Sequence, residues 1–297
     1  MRLPGNIRIT QTLRRLRSRF RPGVAILGYH RVHDGADDPL GLSITPERFE
    51  AHLAIIARIA KPMRLADAAR SLRTGNVPSR AVVVTFDDGY AGNLHVALPL
   101  LERHAVPATI FITSGNRGGE FWWDRLVRLR PQDPASGDFY ALAVKLESLG
   151  HTEREEALRQ LELRCSPTAA EPIHRSLTIT EMQQLAASPL IDIGAHGVTH
   201  QPLPTLTVQE QQVEIGRSRQ DLEELLHSEV VSFAYPHGAL TPQTSTLVEK
   251  AGYVTACCSK VDVATADAPP LALPRLWVAN SNGPEFERWL GGWLHGA

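Results

Sequence analysis

Residues 81–90 read AVVVTFDDGY, and this run decides the fold. Its first half is rich in β-branched residues and reads as a buried strand. Its second half puts two adjacent carboxylates where that strand ends. Upstream, 24–30 (VAILGYH) reads as another buried strand, and 46–59 as a helix entered through Thr45 as N-cap. Downstream, 94–104 reads as a helix and 108–113 (ATIFIT) as a third strand. Strand, helix and strand joined by short links are the signature of a parallel sheet.

The alternation lapses over about 116–180. That stretch holds Phe121-Trp122-Trp123-Asp124, a helical run near 138–163, and a loop with Pro167 and Pro172. It is read as an insertion, because it shows no strand set of its own. Strands are then expected at 191–195, 230–235, 253–259 and 273–278, with helices at 208–227, 243–251 and 285–294. About seven parallel strands with helices between them predict an α/β fold, a closed or nearly closed (β/α) barrel over residues 22–297. An open doubly wound sheet is the runner-up. No G-x-G-x-x-G or G-x-x-x-x-G-K follows the early strands, so nucleotide binding of those kinds is unsupported.

Composition narrows the class. The 297 residues are 43% hydrophobic and 21% charged, which suits a chain with a sizeable core and excludes global disorder. A formal net charge of −1 gives no case for nucleic acid as a partner. No apolar stretch is long enough for a bilayer-spanning helix. Cys165, Cys257 and Cys258 are odd in number and lack C-x-x-C spacing, so they are read as buried, reduced thiols.

Residues 1–21 carry seven arginines, and the first acidic residue is Asp34. Ile9, Leu13, Leu16 and Phe20 fall at helical spacing among them. The segment is either a basic helix making peripheral contact with an anionic membrane or a disordered tail. No apolar run follows the positive start, so no secretory signal is read. The expected location is the cytoplasm, either free or peripheral at the inner membrane face.

Three strand ends carry polar clusters, and in barrels reactive groups gather at such ends. They are Thr85-Phe86-Asp87-Asp88-Gly89-Tyr90, His196-Gly197-Val198-Thr199-His200 and Phe233-Ala234-Tyr235-Pro236-His237-Gly238. One carboxylate and two imidazoles make an N/O metal-ligand set with open positions. Such a site can generate a nucleophile from water at neutral pH, and the spare carboxylate can accept the proton.

TFDDGY, H-x-x-x-H and FAYPHG, in that order, resemble the polysaccharide deacetylases, the NodB-homology domain of carbohydrate esterase family four. The early LGYHRV and late LPRLWV segments are similar to one branch of that family. The resemblance implies a distorted (β/α) barrel that removes acetyl groups from sugars with a divalent metal. Zinc is favoured, with cobalt, nickel and manganese able to occupy the same set. It implies Asp88, His196 and His200 as metal ligands and Asp87 as the general base. Tyr235, Pro236 and His237 would line the sugar site, and a backbone N–H near His237 would help hold the oxyanion.

The chain departs from the family pattern in three places. Gly197 stands where Ser or Thr often follows the metal histidine. Ala234 stands where an arginine usually steadies the base, and Arg275 is expected to replace it. Leu276-Trp277-Val278 lacks the usual late histidine, and His30 is the candidate acid. The first functional reading is N-deacetylation of a polysaccharide or lipid-linked glycan precursor. Hydrolysis of a non-sugar amide and a non-catalytic glycan-binding barrel remain as alternatives. Trp122 and Trp123 would either stack on a sugar or pack the insertion onto the barrel. Trp277, Trp289 and Trp293 are expected in the core, and His33, His52, His95, His104 and His227 at the surface.

Overall fold

The computed structural model describes residues 23–34, 38–129, 139–164, 169–170 and 172–294. The basic segment 1–21 and Cys165 lie outside them. In chain order the strands are β1 (Gly23–Tyr29), β2 (Arg31–Val32), β3 (Ser43–Ile44), β4 (Lys61–Pro62), β5 (Ala81–Phe86), β6 (Ala108–Ile112), β7 (Ile191–Ala195), β8 (Ser232–Ala234), β9 (Thr255–Cys257), β10 (Ala264–Thr265) and β11 (Leu276–Trp277). The α-helices are α1 (Pro46–Ile59), α2 (Leu65–Thr74), α3 (Leu98–Arg103), α4 (Trp122–Leu129), α5 (Phe139–Glu147), α6 (His151–Glu162), α7 (Ile179–Ala186), α8 (Val208–Leu226), α9 (Pro242–Lys250) and α10 (Gly283–Leu294).

Parallel pairing runs without a break from β1 through β5, β6, β7 and β8 to β9. The segment around β11 joins the two ends: Leu273 bridges Cys257 on one side, and Leu276 pairs with Leu27 of β1 on the other. Seven parallel strands thus form a distorted barrel, as the strand count predicts. Short β4 adds to β5, and β10 runs antiparallel along the start of β1.

Alternation divides each strand between two cores. Ala25, Leu27, Val82, Val84 and Phe86 pack outward under the flanking helices. Val24, Ile26, Ala81, Val83, Phe111, Ala234, Cys257 and Leu273 share the other face, together with Leu65, Ala68 and Leu72 of α2. A face shared by so many barrel strands is the interior, and α2 plugs one end of it. The same alternation carries Thr85 and Asp87 onto the inner face, toward the opposite end.

Helix α1 forms where expected: Thr45 caps it, Pro46 opens it, and Phe49, His52, Leu53 and Ile56 lie buried along one face. His52 is therefore a core residue, not a surface one. Its spacing already placed it on the apolar stripe. The helix expected over 94–104 begins as a π-helical turn, Asn93–Ala97, before α3. The helical run near 138–163 is two helices, α5 and α6, separated at Ser148–Gly150. With α4 they build a small core of their own around Leu126, Leu146 and Leu158. Cys257 and Cys258 are buried free thiols. No helix of the described residues is long and apolar enough to cross a membrane.

Candidate active site

The turn after β5 sets the two aspartates apart. The Asp87 N–H donates to the Tyr29 carbonyl at 3.0 Å, which continues the β1–β5 ladder by one residue. Asp88 then adopts φ +73° and Gly89 φ +80°. A left-handed aspartate costs energy that the surroundings must offset, and such strain gathers at functional sites. The reversal sends the two carboxylates to different partners.

Asp87 meets Arg275, which reaches it from just before β11. Arg275 donates to both Asp87 oxygens, at 2.6 and 2.7 Å, and is itself wholly buried. This forked pairing fixes the carboxylate plane as well as its charge. Thr85 lies 3.3 Å from the same guanidinium and donates to the Leu27 carbonyl at 2.8 Å. Trp277, two residues beyond Arg275 and so on the same face, lies 4.6 Å beneath the guanidinium. It is not a core residue but part of the site. Gly28 makes room for it, since a Cβ there would stand 2.8 Å from the indole.

Asp88 meets the two histidines that follow β7. Its Oδ1 lies 3.6 Å from His196 Nε2 and 3.4 Å from His200 Nε2, and one ligand atom from each residue falls within 4.8 Å of the others. His196 Nδ1 donates to the Ala234 carbonyl at 2.8 Å, which leaves the Nε2 lone pair facing Asp88. The loop between the histidines is tight. Gly197 has φ +76° and His200 φ +58°. Glu214 of α8 holds it by accepting from the Val198 N–H at 2.8 Å, the Thr199 N–H at 2.9 Å and the Thr199 hydroxyl at 2.6 Å. A Cβ at position 197 would stand 3.0 Å from that carboxylate. Thus Thr199 and Glu214 order the loop that carries no hydroxyl at 197.

The electrostatics separate the two acids. Burial would raise Asp87, but the Arg275 charge beside it holds the carboxyl down at about 2. Burial pushes Asp88 well above the ordinary range, and the charges of Asp87 and Asp124 push it further. Burial draws His196 down and His200 well down, so both imidazoles are neutral. A destabilised carboxylate and two neutral imidazoles facing one point make a donor set that a divalent cation fits.

These groups form the floor of a cavity of about 400 Å³. His30, His237 and Trp277 stand in its wall, and Trp122, Trp123 and Leu126 of α4 enclose it. His30 stacks on Trp277 at 5.3 Å, and burial lowers it to about 4. Trp122 and Trp123 line this cavity and also pack in the core of α4–α6. Of the three residues expected to line a sugar site, His237 stands in the wall of this cavity, 3.0 Å from Glu147 at the end of α5. Tyr235 does not: its ring is fully buried against Phe233 and its hydroxyl donates to the Leu271 carbonyl at 2.8 Å. Pro236 is buried in the turn and absent from the cavity wall.

One network gave no sequence signal. Arg31 pairs with Asp124 at 2.5 Å, Tyr90 donates to the same carboxylate at 2.8 Å, and Trp123 donates to Tyr90 at 2.6 Å. It ties α4 to the Asp87–Asp88 turn and sets the Trp123 ring 4.8 Å from His200.

Comparison with known proteins gives a consistent result. The sequence family described as polysaccharide deacetylase matches over residues 74–256. YxkH of Bacillus subtilis (strain 168), assigned by its name to the polysaccharide deacetylases, is 25% identical over 256 residues, 86% of this chain and 71% of its own. Among solved structures, the Streptococcus pyogenes deacetylase PplD, in complex with acetate, superposes with a TM-score of 0.65 at 19% identity, covering 91% of this chain and 98% of its own. IcaB from Ammonifex degensii gives 0.65 at 20% identity with the same coverages. At such identities the structural likeness is one of fold.

Proposed function

The chain belongs to the polysaccharide deacetylase family, and from that premise we propose that it is a metal-dependent hydrolase removing N-acetyl groups from a sugar. The observation that carries the reading is the meeting of Asp88, His196 and His200 beside an Asp87 clamped by Arg275, all on the floor of one cavity. Asp88 and the two Nε2 atoms would hold the cation, which when bound supplies Lewis-acid polarisation of the acetamide carbonyl and acidifies water. Zinc suits two imidazoles and a carboxylate.

This chain's own groups do the rest. Asp87 is an anion at neutral pH, and Arg275 holds it in one plane, so it accepts the proton of the attacking water without turning away. His30 is neutral in the resting site, with one ring nitrogen that donates and one that accepts, so it can pass a proton on but adds none to the total. The proton taken by Asp87 is the one available to the leaving nitrogen, and His30 relays it across the cavity. Trp277, stacked under both His30 and Arg275, fixes their spacing. Trp122 and Trp123 offer indole faces to a sugar ring.

Acetate release from N-acetylated chito-oligosaccharides tests the reading. It should cease with a chelator and return with added zinc. Asp87→Asn should reduce it by roughly a thousandfold, with a lowered melting temperature because the buried Arg275 loses its counter-charge. Release that is indifferent to chelator would sink the metal assignment. Release from small amides but not from sugars would favour the non-sugar alternative, and glycan binding without release would favour the non-catalytic one. The arginine-rich segment 1–21 supports work on a lipid-linked glycan at the cytoplasmic membrane face. Its deletion should weaken binding to anionic liposomes and spare turnover of soluble substrates, and equal binding would remove this part.

A further inference from the structure

A second cavity, of about 270 Å³, lies between the α4–α6 helices and the His196–His200 loop. It shares Trp122, Trp123 and His200 with the catalytic cavity. Four residues in its wall carry buried polar atoms with no hydrogen-bond partner among the described residues. These are Thr113 Oγ1, Trp122 Nε1, Arg154 Nε and Nη1, and His200 Nδ1. All of them can donate. Buried donors are almost always satisfied, so four such residues behind one cavity wall leave that wall short of an acceptor, which a ligand in the cavity could supply after a small side-chain adjustment.

Arg154 gives that acceptor its charge. The residue is 1% exposed. Its Nη2 donates to the Gln201 side-chain oxygen at 3.0 Å, and that oxygen also accepts from the His151 N–H at 3.0 Å. Its guanidinium lies 5.0 Å from the Trp122 ring centre. Glu155, Glu147 and Glu214 act on it only through space. The two carboxylates in the cavity wall are engaged elsewhere: both Glu120 oxygens grip Arg128 at 2.6 Å, and Glu155 pairs with Arg125 at 2.5 Å. A buried cation without a counter-charge is costly, and the cost is recovered when an anion arrives.

We propose that this cavity binds an oxyanion group, carboxylate or phosphate, carried by the substrate, which makes that substrate an anionic acetylated sugar. The anion site stands on the cavity alone, and only the assignment to a substrate rests on the deacetylase reading. The volume exceeds that of one phosphate and leaves room for part of the ring that bears it. The shared wall puts the group next to the acetamide position. An acceptor against His200 Nδ1 also fixes the tautomer in which Nε2 faces Asp88, as acceptors behind metal-binding histidines do.

The test is calorimetric titration of the full, zinc-loaded chain carrying Asp87→Asn, so that the probes are not consumed. The probes are N-acetylmuramic acid, N-acetylglucosamine 6-phosphate and neutral N-acetylglucosamine. At least one anionic probe should bind about tenfold or more tighter than the neutral one, the scale of a charge-assisted hydrogen bond. The two anionic probes tell carboxylate from phosphate. Arg154→Met should abolish the preference, and Thr113→Val should reduce it severalfold while the melting temperature holds or rises. Should Arg154→Met fail to fold, Thr113→Val carries the test. Anionic probes that bind no better than the neutral one, or a preference that survives both substitutions, would overturn the proposal. Acetate release by the Asp87-intact chain separates the two readings. Anion preference without release from any probe keeps the cavity and removes the deacetylase assignment. Release from every probe without anion preference does the reverse.

Discussion

The barrel rim and the α4–α6 helices face each other across the catalytic cavity, and they are built by different means. At the rim, main chain does much of the placing, with the Arg275 and Glu214 side chains bracing it. Ladder hydrogen bonds fix Asp87, left-handed turns aim Asp88 and His200, and a carbonyl sets the tautomer of His196. In the helices, side chains do the placing. Arg125 and Arg128 are satisfied by glutamates of the same segment, while Arg154 is left to the cavity. A geometry held by main chain resists substitution of its neighbours. One held by side chains can be altered residue by residue, so the proposed reaction chemistry would belong to the rim and the proposed substrate choice to the helices.

The largest expected effect would break this contrast at the rim. Arg275→Met leaves the Asp87 charge buried and unpaired, which should destabilise the barrel by about 3–5 kcal/mol in urea unfolding. A loss under 1 kcal/mol would mean that main chain alone suffices there. A smaller effect is expected in the helices. Leu158 is wholly buried in their separate core. Leu158→Ala should cost about 2–4 kcal/mol locally. Hydrogen exchange should then quicken across 122–162 before it quickens in β5 and β7. Simultaneous loosening of both regions would erase the distinction between them.

The smallest effect sharpens the contrast from within the barrel's outer core. His52 is buried against Phe286, 3.7 Å between ring centres, with Nε2 on the Ser281 carbonyl at 2.9 Å. Burial lowers it from 6.5 to about 4. The unfolded chain therefore takes up a proton that the folded one refuses as pH falls through this window. The stability is fully present above 6.5 and is lost toward 4. Between pH 7 and 5 the loss should be about 2 kcal/mol. His52→Gln should flatten that part of the pH dependence, and an unchanged slope would show that the imidazole is not held neutral.

The contrast also explains what could be read from sequence. TFDDGY and H-x-x-x-H are local, and a strand end is a local event, so the fold and the meeting residues of the rim were legible. Period-two spacing also held the clue to Trp277, which must share a face with Arg275. The family resemblance misled at Tyr235, because β8 is only three residues long and the chain turns directly after it. Its hydroxyl finds Leu271, 36 residues away, which no pattern announces. Arg154 is one of two arginines on a polar helix, and only tertiary burial distinguishes it. The Arg31–Asp124–Tyr90–Trp123 network joins three distant segments in the same unannounced way.

The strip Leu273–Trp277 both seals the barrel seam and delivers the guanidinium that Asp87 needs. During synthesis it leaves the ribosome after every other strand of the barrel. A nascent chain therefore acquires its aspartates and histidines long before it can orient the proton acceptor. The proposed hydrolysis would wait for that strip, and a product truncated before residue 273 should be inert rather than merely unstable.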